Sequence, residues 1–167
     1  MIPTALFQDR IDAASRAVLE GDFDAYLRCL DLPYLFSTLE ADFVLRRAAE
    51  VRPLFFDFVA ILRRNGVTHY ERLARDVAMV RPDRIEGWSY THLISHGERI
   101  AAPFAARCAM VLRGGVWLFT ESSYPFRTDR LPLTEAVLRE AWKAQGETGW
   151  RADAWPDRGY ARPEARP

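Results

Sequence analysis

With 167 residues, 49% of them hydrophobic, the chain is long enough for one sizeable core and too short for two comfortable domains. Its 23 Lys and Arg balance its 23 Asp and Glu, so no net field exists to gather nucleic acid or an anionic membrane, and both drop out as partners. No apolar run approaches the roughly 20 residues that cross a bilayer, and Met1 to Arg10 lacks a basic start followed by an apolar run, so a cytoplasmic protein is expected.

Lys143 is the one lysine against many arginines and alanines, a bias that points to a GC-rich bacterial origin. In chain order, Phe7, Ile11, Ala14 and Val18 recur at helical spacing between Thr4 and Glu20, and Gly21 supplies the stop. Asp22 caps a short second helix carrying Phe23, Tyr26, Leu27 and Leu30, which ends before Pro33. Tyr34 to Leu39 and Asp42 to Arg46 read as a hairpin around Glu40-Ala41. Val51, Leu54, Phe55, Phe58, Val59 and Leu62 then form the strongest helical stripe, starting near Glu50 with Pro53 in the first turn and closing at Asn65-Gly66-Val67.

From His69 onward the pattern changes to strands: His69 to Val80, Arg84 to His96, Ala101 to Arg113 and Val116 to Ser123. The turns fall at Arg81-Pro82-Asp83-Arg84, His96-Gly97-Glu98-Arg99 and Gly114-Gly115. Four long antiparallel strands are expected. A last helix of Ala136, Val137, Ala141 and Ala144, capped by Thr134, runs to Gly146, giving a single domain over residues 1–146. Residues 147–167 read as an extended C-terminal arm whose Trp150, Trp155 and Tyr160 dock on its own or a partner's surface.

Strand faces decide which side chains meet. A two-residue turn at Gly114-Gly115 pairs Leu112 with Trp117, Met110 with Phe119, Cys108 with Glu121 and Ala106 with Ser123. Trp88, Tyr90 and His92 lie on one side of their strand, and their aromatic character assigns them to the buried face. That assignment requires a three-residue loop or a bulge at Gly97, because a two-residue Gly97-Glu98 turn aligns Tyr90 with Ala105. With the irregular turn, Trp88, Tyr90, His92, Phe104, Cys108, Met110, Trp117, Phe119 and Glu121 share one concavity, joined by Arg75 and by Tyr34 and Phe58 from the hairpin and third helix. The opposite face, with Leu93, Ala109, Val111, Val116, Leu118 and Thr120, is too apolar for a free surface and reads as a homodimer interface.

The element order, with Gly115-x-Trp117-x-Phe119 closing the meander, resembles the NTF2-like superfamily, which includes SnoaL-type polyketide cyclases and ketosteroid isomerases. Two local patterns carry the likeness further: Asp83-Arg84-Ile85-Glu86-Gly87 opening a strand and Arg113-Gly114-Gly115-Val116-Trp117 joining the last two. The resemblance spans Phe7 to Phe126. It implies an α+β cone, a curved antiparallel sheet wrapped around N-terminal helices, an internal pocket, and homodimers through the outer sheet face. It implies no single reaction. Isomerase members set a carboxylate base opposite a phenol and a protonated acid. Tyr90 and Glu121 are counterparts in role here, but no second carboxylate shares their face and no motif aligns them, so catalytic residues are not carried over.

The expected function is binding of a small, largely apolar molecule, with two readings open. In one, the protein is an isomerase or lyase in which Glu121, on an apolar face that favours its neutral form, serves as base and Tyr90 or His92 as donor. In the other, Glu121 is a rim salt bridge to Arg75 or Arg127 and the protein is a non-catalytic binding or accessory module. No cofactor is called for. His92 and His96 stand about 13 Å apart on a strand, too far to share a metal, and Cys29 and Cys108 form no metal or redox motif.

Overall fold

The computed structural model describes residues 2–39, 41–101 and 103–124. The helix expected at Thr134 to Gly146 and the arm from Glu147 lie outside the described residues. Helix α1, Pro3–Glu20, buries Phe7, Ile11, Ala14 and Val18, the stripe read from the sequence, and stops where Gly21 turns left-handed at φ 74°. Helix α2, Phe23–Leu27, is capped as expected by the Asp22 carboxylate, which accepts from the Ala25 N–H at 2.8 Å. Helix α3 runs Ala48–Arg64, two residues earlier than expected, so Pro53 lies inside it rather than at its start. The early start has a local cause: Glu50 accepts from the Arg46 N–H at 2.7 Å and anchors the entry. Gly66 at φ 63° and the Val67 N–H to the Leu62 carbonyl end the helix, as the Asn-Gly-Val signature predicts.

The strands are β1 Leu30–Ser37, β2 Asp42–Leu45, β3 His69–Arg81, β4 Arg84–Ser95, β5 Glu98–Arg99, β6 Phe104–Arg113 and β7 Val116–Ser123. They form one sheet in the order β2-β1-β7-β6-β4-β3, with β5 paired to β4. The four long strands are antiparallel as expected, but the sheet is mixed, because β1 lies parallel to β7. Pro33 interrupts no ladder bond there: it falls between Leu30 and Leu35, where pairing with β7 lapses.

The curled sheet cups the helices in an α+β cone. Helix α1 packs on β3 and β4, and α3 packs on α1 and α2. β3 is an edge strand, and Gln8 of α1 covers part of that edge: its amide donates to the Arg72 carbonyl at 2.7 Å and accepts from the Ala74 N–H at 2.8 Å. Among the described residues, no helix is long and apolar enough to cross a membrane.

Two register details overturn the expected face assignment. At the His96-Gly97 corner the turn is tight, pairing Ser95 with Glu98 and Ile94 with Arg99. From Ile94 back to Thr91 is then three steps, whereas from Arg99 to its partner Phe104 is five, so the slack is two residues. An even insertion moves the register without exchanging faces; only an odd one does that. Tyr90 therefore pairs with Ala105, the alignment that the irregular turn was expected to prevent. Between β6 and β7, Met110 pairs with Phe119 but Ala109 pairs with Glu121, leaving Thr120 as a one-residue bulge. Beyond it Glu121 crosses to the other face, and Cys108 meets Ser122 instead.

Candidate functional site

The inner face of the sheet and helix α3 enclose a cavity of about 90 Å³. Its walls are largely aromatic. Tyr26 comes from α2, Tyr34 and Phe36 from β1, Phe55 and Phe58 from α3, Tyr70 and Arg72 from β3, Phe104 from β6, and Tyr124 follows β7. Alternation on β3 puts Tyr70, Arg72 and Ala74 inward and Glu71, Leu73 and Arg75 outward. The rings interlock: Phe58 meets Tyr70 edge-on at 5.5 Å, Tyr26 lies 5.0 Å from Phe55, and Phe36 stacks on Tyr124 at 5.0 Å.

The polar groups of this wall are phenols and one guanidinium. Burial pushes the hydroxyls of Tyr26, Tyr34, Tyr70 and Tyr124 above the ordinary tyrosine range, so all four remain neutral hydrogen-bond donors. Tyr34 donates to the Ser122 hydroxyl. Arg72, nine-tenths buried, donates from Nε to Ser15 Oγ at 2.8 Å and from Nη2 to the Ile11 carbonyl at 2.9 Å, and its guanidinium lies 5.1 Å from the Tyr70 ring centre. Among the described residues, no carboxylate or imidazole lines the cavity.

The residues expected to form one site divide into two groups. Tyr34, Phe58 and Phe104 line the cavity. Cys108, Met110 and Phe119 are packed core residues of the same inner face, and Trp117 is half-buried against them. Burial raises the Cys108 thiol, which contacts the Ser122 hydroxyl. Trp88, Tyr90, His92, Arg75 and Glu121 do share a face, as expected, but it is the outer one. Conversely Leu93, expected outside, is in the core.

On that outer face Glu121 belongs to a closed ring of four charges. Arg84 bridges Glu86 at 2.9 Å and Glu121 at 2.5 Å, while Arg107 bridges Glu86 at 2.6 Å and Glu121 at 3.4 Å. Of the two expected partners, Arg75 bonds its neighbouring Ala74 carbonyl instead, and Arg127 lies outside the described residues. Burial alone raises the Glu86 carboxyl, but the hydrogen bonds and charges of Arg84 and Arg107 win and hold it below the usual carboxylate range. The His92 imidazole is pushed down by burial and by the Arg99 and Arg75 guanidinium groups, against the opposing pull of Glu71. The ring binds its charges to one another, so both the Glu86 and the Glu121 carboxylates are shared between two guanidinium groups.

Sequence reasoning passed over Arg72, Tyr70, Tyr26 and Tyr124. Their signal was present in β3: Tyr70, Arg72 and Ala74 alternate with Glu71, Leu73 and Arg75, and only the assignment of the neighbouring faces was inverted. A charged residue on the inner face is the feature that hydrophobic patterning discards first. Among the described residues, no group of three or more His, Cys, Asp and Glu is placed to hold a metal.

No protein-family model and no curated protein matches the sequence. Solved structures do. A domain of unknown function with a cystatin-like fold from Nostoc punctiforme PCC 73102 superposes with a TM-score of 0.56 at 12% identity, over 77% of this chain and 80% of that one. An NTF2-like protein of unknown function from Pseudomonas putida KT2440 gives 0.54 at 8% identity, over 74% and 86%. An NTF-2 like protein of unknown function from Shewanella oneidensis MR-1 gives 0.53 at 11% identity, over 74% and 99%. At these identities the likeness is one of fold, and that fold is the NTF2-like cone.

Proposed function

We propose that this chain, with its NTF2-like fold, binds a small, largely apolar molecule in the cavity between the inner sheet face and α3. The supporting observation is the wall itself: aromatic rings from five elements surround a cavity of about 90 Å³ with hydroxyl groups and one guanidinium among them. Pockets that recognise small molecules are built this way, mostly apolar with a few convergent polar groups. The volume lies below the roughly 300 Å³ at which drug-sized sites begin, so the molecule is a single ring or a short chain.

The geometry favours binding without acid–base catalysis. An acid–base isomerase or lyase needs a base beside its substrate, and the described lining holds neither carboxylate nor imidazole. Benzyl alcohol is expected to produce saturable shifts in the NMR signals of Tyr26, Phe58 and Tyr70, and Phe58→Trp, by filling the space, to abolish them. Shifts that are linear in concentration, or that scatter over the surface, remove the cavity reading.

A homodimer through the outer sheet face is a second element of the reading, supported by Leu73, which points outward from β3 and stands 40% exposed. Sedimentation is expected to give twice the chain mass at micromolar concentration; a monomer at that concentration ends this part of it.

A further inference from the structure

Arg72 is the one charged group in the described cavity wall, and its situation is unusual. An arginine buried to this degree normally faces a carboxylate, because a guanidinium stays charged at any accessible pH and an unpaired charge out of water is costly. Here no Asp or Glu among the described residues pairs with it. Its ligands are a serine hydroxyl, a helix carbonyl and the face of Tyr70, all uncharged. A guanidinium offers five N–H donors. The two bonds made to Ser15 and Ile11 fix its orientation through Nε and Nη2 and leave the Nη1 side of the fork without a partner among the described residues.

The surroundings reinforce the point. Tyr26 and Tyr70 add neutral phenols to the same wall, and a hydroxyl donor is complementary to an acceptor, best of all an anionic one. Nothing in the described wall repels negative charge. The wall around the guanidinium is largely aromatic, so an ion pair formed there is screened by salt less than one at the surface.

We propose that the cavity takes a small organic carboxylate, its ring or chain against Phe58, Tyr70 and Phe104 and its anionic group on the Arg72 guanidinium. This rests on the cavity being the ligand site and adds the charge of what enters it. Arg72 then has two duties: holding α1 to β3 through Ile11 and Ser15, and supplying the missing half of an ion pair only when the cavity is filled.

The test compares benzoate with benzyl alcohol, which has similar bulk and no charge, by calorimetry and NMR titration at pH 7. Benzoate is expected to bind the unmodified protein at least about tenfold more tightly, the least that a hydrogen bond to a charged group contributes. Arg72→Gln is expected to bring benzoate down to the level of benzyl alcohol measured in the same variant. Arg72→Lys, which keeps the charge but loses the planar fork, is expected to fall between them. Equal affinities for the two probes in the unmodified protein overturn the carboxylate and leave the cavity reading standing. If neither probe binds, the cavity reading fails and this one with it. The comparison in the unmodified protein decides the matter even if Arg72→Gln does not fold.

Discussion

Arg107→Met is expected to destabilise the fold by about 3 kcal/mol, read as a lower urea midpoint at unchanged slope. The Arg107 side chain is only 5% exposed and bridges Glu86 and Glu121, which are 14% and 13% exposed. Removing it takes one of the two bridging guanidinium groups from both carboxylates, and breaking a buried pair from one side costs about 3–5 kcal/mol because the orphaned charge stays behind. The residual water at the two glutamates puts the value at the low end of that range. The pH dependence follows from Glu86. Its folded carboxyl is held below the ordinary value despite burial, by Arg84 and Arg107. The stability it contributes is therefore complete above the unfolded carboxylate range, near pH 4.3, and is lost as pH falls through the depressed folded value. The gap between the unmodified protein and Arg107→Met should accordingly narrow on acidification. Adding Glu86→Gln to Arg107→Met should recover part of the loss. A cost below about 1 kcal/mol would place the ring with ordinary surface pairs and deny it any structural role.

That ring also marks where sequence reading stops. Helices α1 and α3, the Asp22 cap and the Gly21 and Gly66 stops were legible because each depends on residues within a turn or two of one another. The Gly114-Gly115 hairpin was legible over its first rows for the same reason: Leu112 pairs with Trp117 and Met110 with Phe119. A single residue beyond, Thr120 bulges, and every side chain after it changes face. Nothing in Thr120 or its neighbours announces that bulge. The two residues of slack before Phe104 are equally silent, and being even in number they leave Tyr90 and His92 on the face opposite Phe104. Grouping survived where orientation did not. Arg75, Trp88, Tyr90 and His92 were assigned to one face and lie on one face, but the aromatic criterion chose the wrong side for it. The inner face of β4 is instead carried by Ile85, Ser89, Thr91 and Leu93, all at most 2% exposed, and small hydroxyl residues there are what the helices need for close approach.

Phe7→Ala carries the other large expected effect, about 3–5 kcal/mol. Phe7 is fully buried, with its ring edge-on to Phe119 at 6.0 Å, and it fills the hollow over Gly87. A β-carbon at position 87 would stand 3.2 Å from Phe7 Cζ and 2.9 Å from Val77 Cγ2, so glycine is required here by close approach rather than by backbone conformation. Gly87→Ala alone should cost about 1–3 kcal/mol as overpacking. The two positions form one joint, which a double-mutant cycle exposes: Phe7→Leu withdraws the ring atoms nearest the new methyl, so Gly87→Ala should cost less in that background than alone. The relief is partial, because Val77 remains. Additivity within about 0.5 kcal/mol would show that the joint is not shared. The consequence reaches the cavity. Phe7 seats the same helix whose Ile11 carbonyl and Ser15 hydroxyl orient Arg72, so a loosened α1 loosens the guanidinium as well. Phe7→Ala should therefore weaken benzoate more than benzyl alcohol, although residue 7 lines no part of the described cavity wall. Equal weakening of both probes would mean that α1 shapes the cavity without aiming its charge.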